Sequence, residues 1–248
     1  MQRRLHVAEP IYELAVSPDG RQLAAMVQSG ASSTTAEVDV IDLSTGSTLR
    51  SYPVPDSSEG LAYSPDGKVI VALGCCSPGS IVDIRDASSG RQLPNPTVPG
   101  QASAIAFSPV APILGIGTAD GKFYQWNVER GVQVGPAITV AASNVLQIAY
   151  SPDGKLLVAS LRDGSTRLID LESGQQLGNS FPTVGGFTVP LFTTKGDLLI
   201  GYSNTATDWP TSLAAWEHYA CQVAGRDITP VEWANVLPDR PYQPVCPS

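Results

Sequence analysis

An all-β fold of five repeated four-stranded units, ending in a short helical tail, is what this sequence predicts. Three observations carry the expectation. A turn tetrapeptide, Ser-Pro-Asp-Gly, recurs at Ser17–Gly20, Ser64–Gly67 and Ser151–Gly154, with a decayed copy at Ser108-Pro109-Val110-Ala111 and an echo at Thr193-Thr194-Lys195-Gly196. Starting positions 17, 64, 108, 151 and 193 give spacings of 47, 44, 43 and 42 residues. Every copy sits between two short apolar runs, and the pattern stops after Trp209, where helix-capping residues begin.

The elements follow in chain order. The runs Leu14-Ala15-Val16, Leu61-Ala62-Tyr63, Ile105-Ala106-Phe107, Ile148-Ala149-Tyr150 and Pro190-Leu191-Phe192 are the first strands. The tetrapeptide then makes a tight turn: Pro presets φ at its second position, Asp tolerates the third, and Gly takes the left-handed conformation behind it. Second strands follow at Leu23–Val27, Val69–Leu73, Ile113–Ile116, Leu156–Ala159 and Leu198–Ile200. Asp120-Gly121 and Asp163-Gly164 mark a second hairpin. Third strands end at Ile41-Asp42, Arg85-Asp86, Trp126-Asn127, Ile169-Asp170 and Trp209-Pro210, and a fourth strand leads into the next unit. Past Trp209, Ser212 caps a helix from Leu213 to about Ala224 with Gly225 as its stop. Thr229-Pro230-Val231-Glu232 is a capping box opening a second short helix through Val236. Pro238, Pro241, Pro244 and Pro247 then give an extended end.

Four antiparallel strands per roughly 43 residues is the signature of a β-propeller blade. The unit boundaries fall at about 1–46, 47–90, 91–131, 132–174 and 175–210, with a helical and proline-rich tail over 211–248. Composition agrees. Glycine (23) and proline (21) make up about 18% of the 248 residues, against a usual share of roughly 12%. Charged residues are 15% and the hydrophobic share is 42%, which excludes a coiled coil or a disordered chain. The longest apolar runs, such as Val69 to Cys76, are far short of the ~20 residues a membrane-spanning helix needs. A net charge of −8 with no cluster of Lys and Arg argues against nucleic acid. Four cysteines and no glycosylation acceptor point to a reducing, cytoplasmic interior.

On these motifs the chain resembles the WD-repeat family of β-propellers over about residues 5 to 210. The terminal pair carries Trp only at Trp126 and Trp209, and the family's Gly-His dipeptide is absent, with His6 and His218 the only histidines. The family's buried His–Ser–Asp–Trp network therefore has no place here, and packing between neighbouring blades must hold the array. The stretch from Trp216 through Arg226-Asp227-Ile228, Glu232-Trp233 and Asp239-Arg240-Pro241-Tyr242 to Cys246-Pro247 resembles the C-terminal tail of bacterial, especially actinobacterial, WD-repeat proteins of the signal-transducing NTPase type. That resemblance implies an N-terminal effector and nucleotide-binding region preceding the propeller.

Catalytic chemistry finds little support. Gly178-Asn179-Ser180-Phe181-Pro182 fails as a nucleophile elbow, and a triad would need His6 or His218. Gly115 to Lys122 misses the phosphate-loop spacing and spans a hairpin. Adjacent Cys75-Cys76 are wrong for zinc, and His218, Cys221 and Cys246 lack a fourth ligand. Cys221 and Cys246 are instead disulfide candidates tying the tail to its helix, with free buried thiols as the alternative. Asp19, Asp66 and Asp153 are turn residues, while Asp42, Asp86 and Asp170 end strands. Tyr63, Phe107, Tyr150 and Phe192 share one core position. Cofactor-binding and metal-binding residues are none.

The sequence thus reads as a non-catalytic protein-interaction or sensor module within a larger signalling protein. A lactonase-like or glycosidase-like propeller hydrolase is the alternative. Partner-binding candidates are the residues just before each first strand, which vary while the strands repeat: Tyr12, Glu13, Glu59, Ser103, Leu146, Gln147 and Thr188. Loops and strand ends on a rigid scaffold are where recognition sits. The partner is another protein or the effector region of the same polypeptide. Closure of a ring lacks a clasp strand, so self-association through the flank of the first unit, around Leu5 to Ile11, is also expected.

Overall fold

The repeated tetrapeptide becomes the same turn each time. In a computed structural model of the protein, which describes residues 10–28, 35–55, 58–74, 81–181 and 188–246, the Ser17 hydroxyl donates to Asp19 Oδ1 at 2.6 Å. The same Ser17 oxygen accepts from the Gln22 amide at 2.8 Å, and Asp19 accepts from the Arg21 amide at 3.1 Å. Ser64 with Asp66 and Ser151 with Asp153 repeat all three contacts. Gly20, Gly67 and Gly154 sit at φ 69°, 72° and 70°, the region that favours glycine. Each serine is buried, so its hydroxyl needs these partners.

Five antiparallel sheets form among the described residues. The first pairs β1 (Ile11–Val16), β2 (Gln22–Gln28), β3 (Thr35–Asp42) and β4 (Thr48–Pro55) in chain order. The second holds β5 (Ser58–Tyr63), β6 (Val69–Gly74) and β7 (Ile81–Asp86). The third holds β8 (Ala102–Phe107), β9 (Ile113–Thr118) and β10 (Lys122–Asn127), and β10 also pairs two short pieces, β11 (Val132–Gln133) and β12 (Ile138–Thr139). The fourth holds β13 (Val145–Tyr150), β14 (Leu156–Leu161), β15 (Thr166–Asp170) and the two-residue β16 (Gln175–Gln176). The fifth holds β17 (Thr188–Phe192), β18 (Leu198–Tyr202) and β19 (Thr205–Trp209).

Four strands in every unit is therefore corrected. After Asp86 the chain makes a single bridge, Arg85 to Gln92, before Pro94, Pro96 and Pro99 deprive the next stretch of ladder donors. The Ile84 amide there donates to the side chain of Asn95 at 2.9 Å instead. Gly135-Pro136 splits the outer strand of the third sheet. In the fifth, Pro210 and the Ser212 cap turn the chain into a helix before a fourth strand begins.

The core lies between successive sheets. Met26, Val38 and Tyr52 of the first pack with Leu61, Ile70 and Ala72 of the second. Val71, Leu73 and Ile84 meet Leu114, Ile116 and Tyr124 of the third. Phe123 meets Val145, Leu157 and Ala159 of the fourth, and Val158 and Leu168 meet Leu198 and Ile200 of the fifth. The first strands lie side by side in the order β1, β5, β8, β13, β17, a propeller-like succession. A buried ion pair, Arg85 Nε to Asp83 Oδ2 at 2.8 Å, sits at the first seam, with the guanidinium 4.6 Å from the Tyr52 ring centre.

The tail folds as two helices, α1 (Leu213–Ala224) and α2 (Pro230–Val236). Ser212 caps α1, and Gly225 closes it in the left-handed conformation. Thr229 and Glu232 form the capping box of α2. Cys221 and Cys246 are joined by a disulfide that brings together residues 25 apart. Cys75, Cys76, Leu5, His6 and Pro247 lie outside the described residues. No helix among the described residues is long and apolar enough to cross a membrane.

Candidate functional site

One irregularity repeats at the start of the first strands. The pairing of β1 with β2 shifts register between Ile11 and Glu13, that of β5 with β6 between Ser58 and Gly60, that of β8 with β9 between Ala102 and Ala104, and that of β13 with β14 between Val145 and Gln147. Each shift leaves one extra residue: Tyr12, Glu59, Ser103 and Leu146. A β-bulge frees its residue from the ladder, bends the strand and re-aims the side chain. The fifth sheet lacks the bulge, since Thr188 pairs with Tyr202 in unbroken register.

The structure divides the seven expected residues. Ser103, Leu146, Gln147 and Thr188 line one cavity of about 480 Å³, together with Gln101, Asn144 and Arg162. Tyr12 and Glu13 are exposed on β1 and do not reach it. Partial burial pushes the Glu13 carboxyl above its ordinary value. Glu59 is described only through its backbone, at the bulge of β5.

The cavity is built by three sheets. Ser103 Oγ donates to the Val145 carbonyl at 2.7 Å, so the bulge of β8 is tied to the start of β13. Thr188 is buried, and its hydroxyl lies 3.1 Å from that of Thr166. Arg162 follows β14 in the Asp163-Gly164 turn, and its amide donates to the Asn144 carbonyl at 2.9 Å. Sequence reasoning missed Gln101, Asn144 and Arg162. The Asp163-Gly164 hairpin placed Arg162 at a turn, but nothing local said which strand end that turn would face.

A larger cavity, about 540 Å³, opens at the opposite end between the second and third sheets. Most of its charges are engaged: Lys68 pairs with Asp66 at 3.0 Å, and Asp86 accepts from Ser88 and Ser89, while Glu129 also lines it. A third, about 510 Å³, lies where α1 meets the fifth sheet, beside Phe181, Trp209, Trp216 and Tyr219.

Chemically, the 480 Å³ cavity offers hydrogen-bond donors and acceptors and no acid–base machinery. Among the described residues its lining includes no carboxylate, histidine or cysteine. His218 sits on exposed α1 against Gln222 at 2.9 Å. Among the described residues no group of three or more His, Cys, Asp or Glu is placed to hold a metal ion. Asp42, held down to about 2 by the hydroxyl and amide donors of Ser44 and Thr45, is a strand-end carboxylate like Asp86 and Asp170.

Residues 106–183, about a third of the chain, match the family model of the anaphase-promoting complex subunit 4 WD40 domain. The matched stretch runs from β8 through the third and fourth sheets, the part that forms most of this cavity. The match and the five-sheet architecture support a WD-repeat protein of propeller-like fold. No curated protein matches the chain.

Proposed function

We propose that the chain is a non-catalytic interaction module that takes a segment of a protein partner against the bulged ends of its first strands. The observation that carries the reading is the convergence of Ser103, Leu146, Gln147 and Thr188 from three sheets on one 480 Å³ cavity. The WD40 match supports a protein-interaction scaffold in general. The enzyme alternative has no comparable support from the cavity, where the described lining residues supply neither a nucleophile–base pair nor paired carboxylates.

The partner is another protein or an N-terminal effector region of the NTPase type, as the resemblance of the tail implies, in a bacterial signalling setting inside the cell. Self-association through the first sheet is part of the same proposal: Ile11, Leu14 and Val16 of β1 are about half exposed, at 45%, 50% and 56%. The test is a triple variant, Tyr12→Ala with Glu59→Ala and Leu146→Ala, compared with the wild type by affinity capture and thermal melting. Proteins retained by the wild type are lost from the variant while its melting temperature stays unchanged. Identical capture rules the face out.

A further inference from the structure

The cavity at the bulged ends has a polarity that narrows what it takes, and this inference rests on the binding face proposed above. Among the described residues its one charged lining residue is Arg162, in a chain of net charge −8. No described carboxylate lies within ion-pair distance of that guanidinium. The side-chain amides of Gln101 and Gln147 make no hydrogen bond to a described residue, so their donors face the cavity uncommitted. By contrast, the Ser103 hydroxyl donates to the Val145 carbonyl and Thr188 is engaged with Thr166. One acceptor is stranded: Asn144 Oδ1 is buried and has no hydrogen-bond partner. An atom closed to water is closed to a ligand as well, so recognition falls to Arg162 and the two glutamine amides.

We propose that this cavity recognises a peptide carboxylate, held against Arg162 and within reach of the side-chain amides of Gln101 and Gln147. The guanidinium is a planar fork matched to a carboxylate, and the pairing is stronger than a hydrogen bond between neutral groups. A cationic ligand would meet Arg162 with nothing to offset it. A phosphorylated segment is ordinarily read by several arginines, and the described lining has one. The carboxylate comes from an Asp or Glu side chain or from a chain terminus.

The experiment uses the full chain, labelled with nitrogen-15, and three peptides at millimolar concentration: acetyl-Gly-Glu-Gly-amide, acetyl-Gly-Gly-Gly with a free terminus, and neutral acetyl-Gly-Gln-Gly-amide. Amide shifts of Ser103, Gln147, Arg162 and Thr188 are the readout. At least one carboxylate peptide moves them and the neutral peptide does not, and the two carboxylate arms separate side chain from terminus. Arg162→Gln weakens that binding at least about tenfold, a loss of ~1.4 kcal/mol. Gln147→Glu, at an exposed position that leaves folding intact, also weakens it by like-charge repulsion. Unmoved amides with both carboxylate peptides overturn the proposal, as does full affinity in Arg162→Gln. Equal binding of the neutral peptide removes the carboxylate inference and leaves the binding face standing, because the triple variant tests that face separately.

Discussion

The sheet array and the tail solve the same stability problem with opposite means. In the array, large side chains vanish between neighbouring sheets: Phe123, Leu114, Ile116 and Leu157 are fully buried, and Phe123 meets Tyr150 edge-on at 6.2 Å. The tail leaves its apolar residues in solvent, with Tyr219, Val223, Val231 and Val236 all about 70% exposed and no buried residue in α2. Its order comes from specific links. Asp227 Oδ1 accepts from the amides of Ile228, Val245 and Cys246, Arg226 grips Glu232 at 2.6 and 2.8 Å, and Trp233 packs edge-on against Tyr242. The disulfide completes the set. A repeat that stacks on its neighbours gets its core from them, whereas a terminal segment with one neighbour must be tied. Damage to the array should therefore spread, and damage to the tail should stay local.

Phe123→Ala tests the spreading. It removes a fully buried ring at the seam of the third and fourth sheets and should cost about 3–5 kcal/mol, lowering the main melting transition. A loss well below that range would mean the sheets stand independently. Replacing Cys221 and Cys246 with Ala should release the tail by about 3 kcal/mol. Hydrogen exchange should then rise across α1, α2 and the chain end while the array keeps its protection. Thr229→Ala removes the cap of α2 and should cost about 1 kcal/mol, confined to exchange in that helix.

The smallest effect is in acid. The Ser151 hydroxyl, and next to it the Lys155 amide, hold the Asp153 carboxyl below its ordinary value. A carboxylate with a lowered folded pKa adds stability that is complete above the unfolded value of about 3.9 and is lost as pH falls through the lower folded value. Asp153→Asn should thus melt below the wild type at neutral pH, with the gap closing in acid. A gap that persists unchanged at low pH would show that the turn needs the shape of Asp and not its charge.

The turns were legible because each residue of the tetrapeptide has a local duty: Ser17, Asp19 and Gly20 satisfy one another within a few residues. The same holds for the caps at Ser212 and Thr229. Tyr12, Glu59, Ser103 and Leu146 were legible by place, as residues just before each repeated first strand, but the bulge itself had no sequence signal. What stayed hidden is non-local. Arg162 meets Gln101 and Thr188 only because three sheets converge, and the Asp83–Arg85 pair depends on the first sheet lying over the second. The missing outer strands were written in Pro94, Pro96 and Pro99, but the regular spacing of the repeat outweighed them.

Binding at the bulged ends is the central claim, and site-specific photo-crosslinking reads it most directly. A photoreactive phenylalanine analogue replaces Leu146 at the bulge of β13 in one sample, and in another replaces Val110, which is 62% exposed in the turn at the other end of β8. The account predicts that position 146 captures a partner protein and that position 110 does not. Capture at 110 with none at 146 would contradict it.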